Sequence, residues 1–153
     1  MKRILSILLL GLLMFSGSCS RSDDTTKKSR TITNLNLMLQ NDGAVINLSF
    51  QSKEIFQCPS ELVLEQFEEH DDRVVIRINP EIYYPATPCF AIYSPQPATT
   101  SVQLANEESS KVKDLLILFG QERINGKISL GISPEISLED NCCLTVQLGQ
   151  PSE

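Results

Sequence analysis

The sequence predicts an all-β domain: an antiparallel β-sandwich of about eight short strands, with an immunoglobulin-like order as the first expectation and a small β-barrel as the alternative. Three observations predict it. From residue 30 onward apolar and polar residues alternate with period two, the pattern of strands that bury one face. Asn, Asp and Gly cluster between the alternating runs, where the chain has to turn. The only weakly helical stretch, 106–114, is too short and too polar to form a secure helix.

The elements follow in order. Leu35, Leu37 and Leu39 begin the alternation, and Asn41-Asp42-Gly43 turns the chain into Ile46, Leu48 and Phe50. Leu62 and Leu64 mark a further strand. Glu68-Glu69-His70-Asp71-Asp72 reads as a polar hairpin tip before Val74, Ile76 and Ile78. Val102 and Leu104 make a short strand. Residues 115–119 are apolar throughout, which suits a central strand covered on both faces. Asn125-Gly126 tolerates the positive φ of a type I′ turn and is expected to join 115–123 to 127–132 as a hairpin. Ile128, Leu130 and Ile132 then alternate, and Leu144, Val146 and Leu148 close the domain.

One segment breaks the pattern. Residues 79–99 hold Pro80, Pro85, Pro88, Pro95 and Pro97, five of the eight prolines in the chain. Proline lacks a backbone N–H, so this stretch is expected to be a long irregular loop, a kind of loop that often carries function.

The N-terminus supplies an address. Lys2 and Arg3 precede an apolar run over 4–15, interrupted only by Ser6 and Gly11, and Ser16-Gly17-Ser18 leads directly to Cys19. This is the layout of a secretory signal peptide, and its apolar run is too short to span a bilayer. With the cysteine in that place, residues 1–19 resemble a bacterial lipoprotein signal. The resemblance implies cleavage before Cys19 and lipid on its thiol and amine, hence a membrane anchor. Ser16 stands where that class most often has Leu, and Ser16-x-Ser18 also suits an ordinary secretory peptidase, so soluble secretion is the alternative. Ser20 resembles the residue found after the cysteine in lipoproteins sent to the outer membrane. Ser22-Asp23-Asp24 is similar to the acidic export signals of some surface-exposed ones. Outer-membrane anchoring, facing the periplasm or the cell surface, is therefore expected.

Residues 20–30 contain no apolar side chain and cannot offset their ordering entropy by burial. The expected organisation is a signal peptide over 1–18, a lipidated cysteine and flexible tether over 19–30, and one β-sandwich over 31–153, long enough for a proper core. Removal of Lys2 and Arg3 with the signal takes the formal charge from −6 to −8. So acidic a chain is not built to neutralise phosphates, and nucleic acid is not an expected partner.

The five cysteines are Cys19, Cys58, Cys89, Cys142 and Cys143. Lipidation of Cys19 leaves four that can pair in an oxidising compartment. Neighbours in an extended chain point to opposite faces, so Cys142 and Cys143 each reach elsewhere. This gives Cys58–Cys142 with Cys89–Cys143, or the swapped pairing; Cys58–Cys89 with a vicinal or unbonded Cys142/Cys143 is the other arrangement. Each bridge stabilises by about 2–4 kcal/mol. No C-x-x-C spacing occurs, so neither thiol redox chemistry nor a zinc site is indicated.

Catalysis and metal binding find little support. His70 is the only histidine, so any Ser-His or Cys-His arrangement must use it, and no G-x-S-x-G elbow exists. Five consecutive polar residues around His70 cannot all face one ion, and calcium-loop spacing is absent. No catalytic residue, metal ligand or cofactor is assigned. The best site is instead the pair of aromatic clusters around Cys89: Tyr83, Tyr84, Phe90 and Tyr93, held by a disulfide as binding residues for a protein or envelope component. The expected function is a non-enzymatic, lipid-anchored envelope module. One alternative is an inhibitor of an envelope-directed hydrolase. The chain is similar in size, β content and cysteines to small lipoprotein lysozyme inhibitors, but it lacks the Ser-Gly-x-x-Tyr motif. The other alternative is a small hydrolase or metal-binding protein that uses His70 and nearby carboxylates.

Overall fold

Period-two alternation becomes eleven β-strands in the computed structural model, which describes residues 28–58, 60–84, 94–106, 111–139 and 143–148. The strands are β1 (Lys28–Thr31), β2 (Leu35–Asn41), β3 (Val45–Phe56), β4 (Val63–Glu69), β5 (Arg73–Asn79) and β6 (Glu81–Tyr84). They continue as β7 (Gln96–Ala105), β8 (Val112–Phe119), β9 (Glu122–Ser129), β10 (Glu135–Leu138) and β11 (Leu144–Leu148). No helix occurs among the described residues. A five-stranded sheet runs β10-β9-β8-β5-β4, a four-stranded sheet runs β11-β2-β3-β7, and β1 with β6 forms a two-stranded ribbon.

The two larger sheets share one core. Leu35, Leu37 and Leu39 of β2 and Ile46, Leu48 and Phe50 of β3 meet Val74, Ile76 and Ile78 of β5 and Leu115, Ile117 and Phe119 of β8 in a single buried cluster. Each side chain fully removed from water contributes about 1.5–3 kcal/mol before the entropy of ordering it is subtracted. Neither sheet closes on itself, so the molecule is a β-sandwich rather than a barrel.

Several expectations need correction. Each large sheet contains one parallel pair, β11 with β2 and β5 with β8, so the sandwich is mixed rather than wholly antiparallel. The parallel β5–β8 pair at the centre of a sheet also sets its strand order apart from the immunoglobulin arrangement of antiparallel sheets. Strands number eleven among the described residues, because β1, β6 and β10 join those expected from the alternation, and the proline-rich region begins with β6 and ends inside β7. Pro97 is tolerated because β7 is an edge strand and one side of it bonds to no other strand of its sheet. Residues 28–30, expected to belong to the tether, are strand and pair with β6.

The Asn125-Gly126 hairpin is not formed. The turn between β8 and β9 lies at Gly120-Gln121, where Gly120 supplies φ +61°, and Asn125 and Gly126 run on as strand. Gly126 is needed there for a tertiary reason: a Cβ would stand 2.5 Å from the Ser137 carbonyl oxygen of β10. The run Leu115–Phe119 does occupy the central strand of its sheet. The turns at 41–43 and 70–72 lie where the sequence puts them, with Gly43 at φ +77° and the His70 N–H donating to the Arg73 carbonyl at 2.8 Å.

The outer faces of the two sheets differ in chemistry. On the five-stranded sheet, register gives the rows Gln66–Arg77–Leu118–Arg123, Glu68–Val75–Leu116–Asn125 and Arg73–Asp114–Lys127–Ser137, charged in every row. On the four-stranded sheet the rows are Thr145–Asn36–Gln51–Thr99, Gln147–Met38–Ser49–Ser101 and Gln40–Asn47–Gln103, with no charge in any. All eleven of these side chains are exposed or half-buried.

Candidate functional site

At the end of the sandwich where β1 begins, the β1–β6 ribbon is held by a buried Ile82. Its entry is fixed by the Ile32 N–H donating to the Pro80 carbonyl at 2.8 Å and the Glu81 N–H donating to Asn79 Oδ1 at 2.8 Å. The Arg30 guanidinium stands 6.0 Å from the Phe56 ring centroid. Alternation along β6 turns Ile82 inward and leaves Tyr83 outward, 52% exposed. The Tyr83 hydroxyl donates to Glu81 Oε2 at 2.6 Å. That hydrogen bond, and then the charge of the same carboxylate, hold the phenol above its ordinary value.

Tyr83 lines a cavity of about 600 Å³ together with Ser60, Glu61, Val63, Gln96, Pro97 and Thr99. The link between β3 and β4 crosses beside β7 here: Glu61 bridges to Thr99, and the Leu62 N–H donates to the Thr99 carbonyl at 3.1 Å. A second cavity of about 330 Å³ shares Glu61 and Thr99 and adds Ser49, Leu62, Thr100 and Ser101. The two together form a cleft along the β7 edge, with a carboxylate, hydroxyls and amides for hydrogen bonding and a tyrosine ring for contact.

The cleft abuts a cysteine. Cys58 is disulfide-bonded, and the Ser60 hydroxyl donates to its carbonyl at 3.0 Å. Cys58 and Cys143 are not joined to each other. Cys143 is buried beside β2, where its carbonyl accepts from the Leu35 N–H at 3.0 Å. It lines a separate cavity of about 420 Å³ with Phe119, Gly120 and Pro80.

The aromatic cluster is represented by one side chain. Tyr83 is at the cleft; Tyr84 contributes backbone to β6, and its side chain is not described; Cys89, Phe90 and Tyr93 lie outside the described residues, as do Cys19 and Cys142. Glu61, Gln96 and Thr99 join the site without having been singled out by the sequence. They come from two separate stretches, the β3–β4 link and the start of β7, with no motif spacing between them, and only the crossing of that link over β7 brings them together.

His70 stands apart. It caps β4 at the end away from Val63, so about 20 Å of strand separates it from the cleft. Its Nε2 lies 3.3 Å from Glu68 Oε2, and Gln66 Nε2 donates to Glu68 Oε1 at 2.7 Å. The Gln66 bond first, then His70, hold the Glu68 carboxyl below its ordinary value. Among the described residues no group of three or more His, Cys, Asp or Glu side chains is placed to hold a metal ion.

The chain matches no family model, no curated protein and no solved structure.

Proposed function

We propose that this protein is a lipid-anchored component of the cell envelope whose β-sandwich serves as a binding module, without catalysis of its own. The observation that carries the reading is the cleft around Tyr83 and Glu61. Its larger cavity, about 600 Å³, falls within the range of small-ligand sites, and its lining offers contact and hydrogen-bonding groups. The only histidine of the chain is remote from it. The anchor is supported by the layout of residues 1–19. From Cys19 the chain reaches Lys28, the first residue of β1, within about 30 Å if extended. The ribbon that β1 shares with β6 also carries Tyr83, so the cleft is tethered close to the lipid.

The experiment uses the full-length protein in its native membrane. A photo-cross-linking residue is placed at Tyr83 and, as control, at Ile132, which is 91% exposed at the other end of the sandwich. The expected result is an envelope adduct at position 83 and none at 132, unchanged by His70→Ala or by chelator, on a protein whose intact mass shows an acylated Cys19. A non-acylated start overturns the anchor. Turnover that requires His70 overturns the binding-module reading.

A further inference from the structure

The outer face of the four-stranded sheet is chemically unusual for this chain. The formal charge is −6, and Lys, Arg, Asp and Glu make up 21% of the residues. Such residues concentrate on surfaces. Yet the three rows across β11, β2, β3 and β7 carry amides and hydroxyls, one methionine, and no charge. Charges stand only at the margins of the face. Asp42 accepts from the Asn47 amide at one end, and the Lys53 ammonium donates to Thr145 Oγ1 at 2.9 Å at the other. The opposite sheet shows that this is not a general property of the fold, since each of its three outer rows is charged.

We infer that this uncharged face and the cleft along its β7 edge bind a neutral carbohydrate chain. The inference deepens the binding-module reading and rests on it. The match is one of charge and of hydrogen-bond capacity. Each sugar hydroxyl both donates and accepts, and carries no charge. Amides and hydroxyls also do both, so they can exchange bonds with such a ligand without stripping water from ions. The face repeats about every 4.8 Å across strands and about every 6.7 Å along them, which suits an extended chain making many small contacts. The cavity of about 330 Å³ opens from the margin of the face, and Glu61 lines it together with Ser49, Thr99 and Ser101. Two oxygens of one carboxylate can accept from two neighbouring hydroxyls of one sugar. Tyr83, in the adjoining cavity, presents a ring to the C–H face of the next unit. An anionic polymer finds no cation in the rows themselves among the described residues, and Lys53 meets them at one margin only, through Thr145. Within the rows a protein partner finds only Met38 as an apolar anchor, and the cleft adds Val63 and Tyr83 at one end, whereas protein interfaces concentrate binding on central buried aromatic and arginine anchors.

The test is affinity electrophoresis of the full-length protein in detergent through gels that contain a neutral β-glucan, an α-mannan, a xylan or, as anionic comparator, polygalacturonate. The expected result is retardation by at least one neutral polymer and none by polygalacturonate. Ser101→Arg and Glu61→Gln should each weaken the interaction about tenfold or more. Arg77→Ser on the other sheet should leave it unchanged. Equal urea midpoints for all variants separate lost binding from lost folding. No retardation by any neutral polymer, or stronger retardation by polygalacturonate, overturns the carbohydrate inference. If an envelope adduct still forms at position 83 in that case, the binding-module reading survives without it; if no adduct forms either, both fall. Concentration-dependent self-association abolished by Ser101→Arg also overturns it, in favour of a second copy on this face.

Discussion

The Asn106 side chain and the Gly131 backbone exchange two hydrogen bonds: the Gly131 N–H donates to Oδ1 at 2.8 Å, and Nδ2 donates to the Gly131 carbonyl at 3.2 Å. The same Nδ2 also donates to the Gly43 carbonyl at 2.7 Å, and the Asn106 N–H donates to the Ala44 carbonyl at 2.9 Å. One residue at the end of β7 thus ties together the β2–β3 turn and the loop after β9. Asn106→Ala removes the side-chain partners of both loops at once. A loss of about 1–3 kcal/mol is expected, since Gly131 is buried and an orphaned buried backbone group keeps its desolvation cost. Urea unfolding of the full chain measures it, and a loss below about 0.5 kcal/mol would place the loops' order elsewhere.

Lys113 and Glu69 form the most enclosed ion pair among those described. Lys113 is 4% exposed, and its Nζ stands 2.7 Å from Glu69 Oε1. Glu69 is 23% exposed and keeps some water. The asymmetry sets the direction of a double-mutant cycle. Glu69→Leu strands a buried ammonium and should cost about 3 kcal/mol. Lys113→Met leaves a carboxylate that can hydrate and should cost clearly less. The double variant should return close to the parent, because an apolar pair of similar volume needs no compensation. Equal costs for the two single variants would show that the ammonium, too, finds water.

Gly126 and Gly43 separate two reasons for glycine. At Gly126 a Cβ would meet the Ser137 carbonyl at 2.5 Å and the Leu138 side chain at 2.9 Å, so β10 must move. At Gly43 nothing lies within 4 Å, and only φ +77° resists a side chain. Gly126→Ala should cost about 1–3 kcal/mol and speed amide exchange in β10, including the Glu139 N–H that donates to the Asn125 carbonyl. Gly43→Ala should cost about 1 kcal/mol and leave β10 exchange unchanged. Matching exchange patterns in the two variants would refute the close-approach account.

These residues also mark how far the sequence could be read. Leu35, Leu37 and Leu39, like Val74, Ile76 and Ile78, announce their inward face because each sheet has one dry side and period two is local. Asn125-Gly126 misleads because its backbone freedom serves the approach of β10, a tertiary demand that no local pattern encodes. The parallel pairings are invisible for the same reason: β5 meets β8 only after the chain has visited the other sheet. Lys113 could have been found, since it shares the parity of Leu115, Ile117 and Phe119 and so had to point inward. At the site, Tyr83 was legible as an aromatic in a proline-rich stretch. Glu61 and Thr99 were not, because a cleft made by one link crossing one edge strand leaves no spacing in the chain. The uncharged face was open to reading: the outward positions of β2 and β3 are already amides, hydroxyls and Met38.

Tyr83 gives the sharpest reading of the cleft in solution. Its hydroxyl donates to Glu81, so loss of the proton breaks that bond and sets phenolate beside carboxylate. The phenol is therefore held above its ordinary value of 10.0. A folded value raised above the unfolded one means that the contribution to stability is present below pH 10 and is lost as pH rises through the folded value. Ultraviolet titration of the full chain, taken as the difference from Tyr83→Phe, should show Tyr83 ionising above 10. Glu81→Gln should bring it back toward 10, because an amide accepts the hydrogen bond without repelling the phenolate. If Glu81→Gln leaves the titration unmoved, the ring is not held by Glu81 in solution, and the tyrosine wall of the cleft is free to turn away from it.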